Sequence, residues 1–377
     1  MNKEGLDVAK KLADWLCRAQ NPMIEMNGDA GRLHFTVDEY GRIFPGSQWN
    51  SAFAIMGWLG AFRAFGDERY LESAMGAARY LKSLQVFNPF MKNHYGAIRE
   101  MTSQTTWCYP RDSISAGWAF IELYRFTNDK EWIERAKLFA DWFLREALDE
   151  DGWPYWGVIL EDLMEKKYRP QICNDVQGCF HGGSMNFFYQ LAQATNENKW
   201  TGEFYIRMAD YFVEYIQQKD GFFRSIERKT RKIPENDPQR GLHRANDDLG
   251  ALGLLGAYKV TGHNKYLKAI EKFLTAVFAN QNDRGMFDNS VAGIPVVLNI
   301  IHEAGDLVKL SFASDDACAK ALQALYRAQE LCGRNLGTYG GILEEPHIHN
   351  YVCTRSSCYS LIYLIKKYSG IKDYLSV

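Results

Sequence analysis

The chain lacks the marks of several large classes. Lys and Arg total 44 against 46 Asp and Glu, a formal charge of −2, so there is no basic excess of the kind a nucleic-acid surface needs. No run reaches the roughly 18 apolar residues of a membrane span. The first residues, MNKEGLDVAKK, are charged and carry no apolar core of a signal peptide. The eight cysteines include no C-x-x-C pair, and without a leader the expectation is reduced thiols in a cytoplasmic protein. G-x-x-x-x-G-K-[ST], G-x-G-x-x-G and G-x-S-x-G are absent too, which leaves phosphate-loop, dinucleotide and serine-hydrolase readings with no support.

What is present is an ordinary globular balance, 46% hydrophobic and 24% charged, over 377 residues. Aromatics are plentiful, with 10 Trp and 21 Tyr. A repeat runs through the chain. AFRAFGDERYLESA, LYRFTNDKEWIERA, LAQATNENKWTGEF and AYKVTGHNKYLKAI each end one helix at Gly or Asn, take a polar step, and open the next helix on an aromatic residue. Those aromatics are Tyr70, Trp132, Trp200 and Tyr266. Gly or Asn closes a helix in the left-handed conformation, and the polar residue after it caps the next.

Counting 3.6-residue periodicity gives twelve helices, at about 3–20, 50–65, 68–86, 112–127, 130–147, 176–195, 200–218, 247–261, 264–280, 290–304, 311–332 and 351–369. Tight turns alternate with long loops, so the helices form six hairpins. The predicted architecture is all-α: an (α/α)6 barrel in one domain over 1–377, with short β-like pieces in the long loops at one rim. An open α-solenoid is the alternative. The less charged helices before each tight turn are placed inside. The long loops then share the mouth, where a ligand would sit.

Counting sixteen and fifteen residues back from Gly66, Asn128, Asn196, Gly262, Gly305 and Gly370 gives the pairs Asn50-Ser51, Asp112-Ser113, Phe180-His181, Asn246-Asp247, Asn289-Ser290 and Thr354-Arg355. Asn50, Asn289 and Ser290 read as helix caps. Asp112 and Asp247 read equally as caps or as acid/base groups, with Asp175 nearby. Histidines His181, His243, His347 and His349 and arginines Arg111 and Arg244 fall near the same rim. Trp49, Trp107, Tyr109, Trp153 and Trp156 lie on the loops or at their ends, where flat amphipathic rings could stack on sugars. Carboxyls and aromatic platforms are what glycosidic-bond chemistry requires.

The run W-x-x-x-x-A-x-x-G-x-L from Trp49 to Leu59, followed by Gly66-Asp67-x-x-Tyr70-Leu71-x-x-Ala74, resembles the six-hairpin glycosidase superfamily. Within it the chain is similar in length to the unsaturated glucuronyl and rhamnogalacturonyl hydrolases. That resemblance implies a metal-free cytoplasmic barrel whose catalytic aspartates open inner helices on neighbouring hairpins. The matching positions are Asp112 in YPRDSISAGW and Asp175 in CNDVQGC, although the aligned height on the third hairpin is held by His181. The stretch HFTVDEYGRIFPGSQW resembles the start of N-acylglucosamine 2-epimerases, which implies histidine acid/base chemistry at His181, His243, His347 or His349. A polysaccharide lyase on the same barrel is a third reading, and a non-catalytic saccharide binder a fourth.

Cys173-x5-Cys179-x-His181, and the segment holding Glu344, Glu345, His347, His349, Cys353 and Cys358, contain zinc-type ligands at spacings of no common zinc module. Buried thiols are the preferred reading, so no metal or cofactor is expected. The expectation is thus a saccharide-cleaving enzyme with Asp112, Asp247, Asp175 and His181 as catalytic candidates. Trp49, Trp107, Tyr109, Arg111, Trp153, Trp156, His243, Arg244 and His349 would bind the substrate. No nucleic acid or membrane partner is expected, and the oligomeric state is left open.

Overall fold

A computed structural model describes residues 3–23, 28–160, 175–176, 178–233, 249–309, 315–332, 337–346, 348 and 350–377. Among them are twelve α-helices: α1 (Lys3–Arg18), α2 (Gln48–Phe65), α3 (Glu68–Leu84), α4 (Pro110–Thr127), α5 (Lys130–Glu146), α6 (Gly178–Thr195), α7 (Glu203–Tyr211), α8 (Leu249–Thr261), α9 (Asn264–Ala279), α10 (Gly293–Ala304), α11 (Asp315–Glu330) and α12 (Thr354–Tyr368). The helix expected over 200–218 is divided. A 3-10 turn spans Asn198–Thr201, extended Gly202 starts α7, and a π-helical turn over Phe212–Ile216 finishes the segment.

Two compact units account for the chain. One comprises Met1–Lys82, Val277–Gly305 and Lys309–Ser376; the other comprises Ser83–Ala276, Asp306–Val308 and Val377. In the first unit α12 packs between α2 and α10, with α1 across α2 and α12 and α11 against α10. In the second unit α6 packs between α4 and α8, with α5 and α7 on the outside. The sequence sorts the two kinds of helix. Every residue of α2 from Gln48 to Ala61 is buried, as an all-round apolar helix must be. Helix α5 buries only a stripe, Trp132, Ile133, Ala136, Phe139, Ala140, Trp142 and Phe143. The repeat aromatics Tyr70, Trp132, Trp200 and Tyr266 are all buried.

The tight turns are as the sequence indicates. Gly66, Asn128, Asn196, Gly262, Gly305 and Gly370 all have positive φ, between 49° and 74°. A second repeated device holds the long loops. At or near the end of an outer helix, a glutamine reaches into the returning loop and across to the next outer helix. Gln20 donates to the carbonyls of Gly31 and Ser73, and Gln85 to those of Gly96 and Arg135. Gln217 donates to Gly221 and Ala269, Gln281 to Gly285 and Ala317, and Gln329 to Gly340 and Val8, with lengths in the whole set from 2.8 to 3.3 Å. Each loop glycine has positive φ and lies so close to the neighbouring helix that a Cβ would meet a backbone carbonyl oxygen at 2.4 to 2.8 Å. The loop after α5 has Leu148 at this place. It is held instead by Arg228, which binds Asp149 at 2.5 Å and the carbonyls of Trp153 and Pro154.

Short strands complete the loops. In the first unit β1 (His34–Asp38) pairs with β2 (Ile43–Pro45) and with β7 (Tyr351–Cys353), both antiparallel. In the second, β3 (Trp107–Cys108) pairs with β4 (Val158–Ile159), and β5 (Asp175–Val176) with β6 (Ile226–Glu227). These strands carry the chain into the first turns of α4, α6 and α12, and so fix where the residues of those turns stand.

Candidate active site

In the second unit the site is built on the start of α4. Pro110 occupies the first turn, where its missing N–H costs nothing, and Asp112 follows within the same turn. The Asp112 side chain is 13% exposed, and Arg111 Nη1 approaches its Oδ1 at 3.4 Å. Ser113 turns the other way and donates to the Ile98 carbonyl at 3.1 Å, which ties the helix start to the preceding loop. Strand β3, immediately upstream, presents Trp107 and Tyr109 as a tilted ring pair 4.7 Å apart, and Trp156 meets Tyr109 edge-on at 6.3 Å. All three rings are half-buried. Asp112 is thus bordered by aromatic surface and by a guanidinium, the two components a sugar subsite uses.

Glu100, only 2% exposed, accepts the Tyr109 N–H at 2.9 Å. It fixes the residue that enters α4. Burial, with Glu100 and Asp112 adding to it, pushes the Tyr109 hydroxyl up, and the same influences push up the buried Cys108 thiol. Both carboxylates therefore act on one short strand. Arg99, beside Glu100, donates to the Thr105 carbonyl at 2.7 Å, and burial lowers its pKa.

The first unit holds a separate cluster. Glu344 is 1% exposed and accepts from Ser290 Oγ at 2.5 Å, from Ser356 Oγ, and from Arg355 Nε at 3.1 Å and Nη2. Burial alone would raise its carboxyl. The Arg355 charge and the two hydroxyls outweigh that and hold it below the usual glutamate range. Ser290 and Arg355 belong to the aligned pairs at inner-helix starts, and here they meet on one carboxylate.

The remaining expectations divide. Asn50 is not the cap itself: Ser47 caps α2, and Asn50, three residues on, accepts the Ser47 N–H at 2.9 Å as the reciprocal half of a capping box. Trp49 is 6% exposed, edge-to-face with Phe35, Phe53 and Tyr359. Trp153 is 1% exposed and stacks on Tyr211 at 5.1 Å, so its ring is a core surface and not a rim platform. Asp175 lies in β5 opposite Glu227, and His181 lies in the first turn of α6. Asp247, His243, Arg244, His347 and His349 lie outside the described residues. Among the described residues no group of three or more His, Cys, Asp or Glu is placed to hold a metal ion. No helix among them is long and apolar enough to cross a membrane.

Glu100 was not among the residues singled out in the sequence, and Glu344 entered there only as one of a set of zinc-type ligands. The signal was there: His94-Tyr-Gly-Ala-Ile-Arg-Glu100 and Thr338-Tyr-Gly-Gly-Ile-Leu-Glu344 share Tyr-Gly-x-Ile-x-Glu. In each, the glycine is the latched one, the isoleucine is fully buried, and the glutamate two residues further on is buried as well.

No family model matches the chain, and no curated protein does. Solved structures do match over its whole length. Cellobiose 2-epimerase from Bacillus thermoamylovorans superposes with a TM-score of 0.72 at 14% identity, covering 97% of this chain and 100% of that one. An unsaturated glucuronyl hydrolase specific for heparin gives 0.71 at 14% identity, covering 100% of both chains. An α-1,6-mannanase (GH76A) of Salegentibacter sp., in complex with α-1,6-mannotriose, gives 0.65 at 12% identity, covering 97% and 99%. The likeness establishes the fold, the all-α (α/α)6 barrel of these proteins.

Proposed function

We propose that the chain is a carbohydrate-active enzyme, a glycoside hydrolase acting on small oligosaccharides from a single catalytic domain over 1–377. The observation that carries this reading is Asp112, held in the first turn of α4 beside Arg111 and close enough to Tyr109 to act on its hydroxyl, with the Tyr109 ring in turn meeting Trp107 and Trp156. A carboxyl with limited exposure to water, on a rigid helix start and next to ring faces, is suited to exchange a proton with a glycosidic oxygen or an attacking water. Glu100 is the positioning residue, because it fixes the Tyr109 main chain from which Asp112 is hung. The neighbours in fold include enzymes that cleave or rearrange saccharides, which favours this substrate class over others.

A second carboxylate is needed opposite Asp112. Asp247, which is followed directly by Asp248, is the candidate, with Asp175 as the other. His181 would orient the substrate. The thiols and histidines call for no metal in this scheme.

The test is Asp112→Asn, assayed on whichever saccharide the wild type turns over. Turnover should fall by about a thousandfold, within the range for removing a general acid or base. The thermal midpoint should stay close to that of the wild type. A folded variant with near-normal turnover overturns the assignment.

A further inference from the structure

The surface of the second unit carries a hollow of about 620 Å3 that the mechanism above does not use. Helix α5 and the loop between α3 and α4 build most of it. Its apolar lining is Phe87, Tyr95 and Leu138. Phe87 and Tyr95 meet edge-to-face at 5.7 Å, and the Arg135 guanidinium lies over the Phe87 ring at 4.7 Å. A further ring can join such a pair edge-on. Three acidic and three basic side chains complete the lining, so the rim carries no net charge and does not repel a copy of itself.

The same loop displays a projecting ring. Phe90 lies between Phe87 and Tyr95 in the chain and is 88% exposed, more than any other large apolar side chain among the described residues. A hydrogen-bonded turn holds it there. The Asn88 side chain accepts the Phe90 N–H at 3.0 Å, and the Asn88 carbonyl accepts the Met91 N–H at 3.0 Å. The Met91 carbonyl then accepts the His94 N–H at 2.9 Å, closing a 3-10 turn over Lys92–His94. Pro89 fixes its own φ within the same turn. A loop ordered in this way has little left to lose when its ring is buried against another surface.

The charges at ring and hollow are complementary. Five of the six charged side chains lining the hollow are already paired: Arg135 with Glu131 at 2.7 Å, Lys137 with Glu134 at 3.3 Å and with Glu197 at 2.8 Å, and Lys199 with Glu197 at 3.2 Å. Asp141 is the sixth. It is exposed and has no ion pair or hydrogen bond among the described residues. Lys92, two residues from Phe90, is exposed and likewise unpaired among the described residues. An unpaired cation thus accompanies the projecting ring, and an unpaired carboxylate accompanies the hollow.

Ring and hollow are neighbours on one chain, because Phe87 and Tyr95 line the hollow and flank Phe90 in the loop that displays it. Adjacent features that complement each other close a pair of molecules when a two-fold axis passes between them. We propose that this face is the contact of a homodimer. Phe90 of each copy enters the hollow of the other against Phe87, Tyr95 and Leu138, and Lys92 of each copy pairs with Asp141 of the other. The rings form an apolar centre and the charges a polar rim, the layout of a specific protein contact. Dimerisation through this face is independent of the saccharide reading, and it is read out as mass rather than turnover.

The test is sedimentation velocity of the intact chain over a wide range of concentration. The wild type should sediment as a monomer–dimer equilibrium. Phe90→Ala should weaken the dimer by about thirtyfold, as loss of a central interface aromatic does. Lys92→Asp and Asp141→Lys should each weaken it as well. The combined Lys92→Asp/Asp141→Lys variant should restore it, which damage to the fold by either change would not. All three positions are exposed, so the variants should keep the circular dichroism of the wild type. A wild type that stays monomeric at every concentration overturns the dimer. A dimer that Phe90→Ala and both single charge reversals leave intact uses another face and overturns this one. Failure of the combined variant to restore association overturns the pairing of Lys92 with Asp141. Saccharide binding by a monomeric wild type that Phe90→Ala abolishes overturns the dimer in favour of a ligand in the hollow.

Discussion

The repeated latch between loop and outer helix makes a quantitative prediction at Gly285. Its φ is +89°, and a Cβ there would lie 2.4 Å from the Lys320 carbonyl oxygen and 2.8 Å from its carbon. Alanine in the left-handed region costs about 1–2 kcal/mol. The clash is with backbone, so the loop must move away, at a cost of about 1–3 kcal/mol. Movement also stretches the bonds from Gln281 to the Gly285 and Ala317 carbonyls, and weakening the two together costs about 1 kcal/mol. The sum is about 3–6 kcal/mol. With an unfolding entropy near 0.8 kcal/mol/K for 377 residues, Gly285→Ala should lower Tm by about 4–7 °C. Gly66→Ala is the internal control, because it has φ +69° but open space within 4 Å. Only the conformational cost applies there, and Tm should fall by about 1–3 °C. Differential scanning calorimetry of the two variants decides the matter. If Gly285→Ala is no more damaging than Gly66→Ala, the close approach does not hold the loop and the reasoning fails.

Other consequences can be checked together. Glu344→Gln leaves Arg355 without its charge partner and should cost about 3 kcal/mol at neutral pH, read as a lower unfolding midpoint. Because the Glu344 carboxyl is held below the usual range, its contribution is complete above that range and is lost as pH falls through the depressed value. The gap between wild type and Glu344→Gln should therefore close on acidification, and a gap that widens contradicts the sign. Tyr374 is 5% exposed, donates to the Met56 carbonyl at 2.7 Å, and fills the space over Gly60. Tyr374→Ala should cost about 3–5 kcal/mol, and a Tm shift below 1 °C would show that the C-terminal segment is not a structural plug.

The sequence revealed the helical scaffold because local chemistry specifies it. Gly66, Asn128, Asn196, Gly262, Gly305 and Gly370 were identifiable as turn residues from type and spacing alone, and all six adopt positive φ. Asp112 was legible because counting back from Asn128 brings it to a helix start. The glutamine latches were not, since a side chain bonding to the main chain of another helix leaves no local pattern. Trp49 and Trp153 were read as rim platforms on the strength of loop position, and loop position does not report burial. Trp153 follows Gly152 at φ +84°, which turns the chain so that the ring faces Tyr211. Glu100 was missed, and Glu344 was read only as a zinc-type ligand, because alignment on the tight turns does not bring the loops into register; alignment on Gly96 and Gly340 does.

The most direct test of the central claim is mass spectrometry of an oligosaccharide panel, neutral and uronate-containing, incubated with wild type and Asp112→Asn in water enriched in oxygen-18 or deuterium. Hydrolysis at this site predicts fragments that have gained one water, carry the heavy oxygen, and vanish with the variant. Deuterium on a sugar carbon of an uncleaved chain would contradict the account and indicate an epimerase, and cleavage without added water would indicate a lyase.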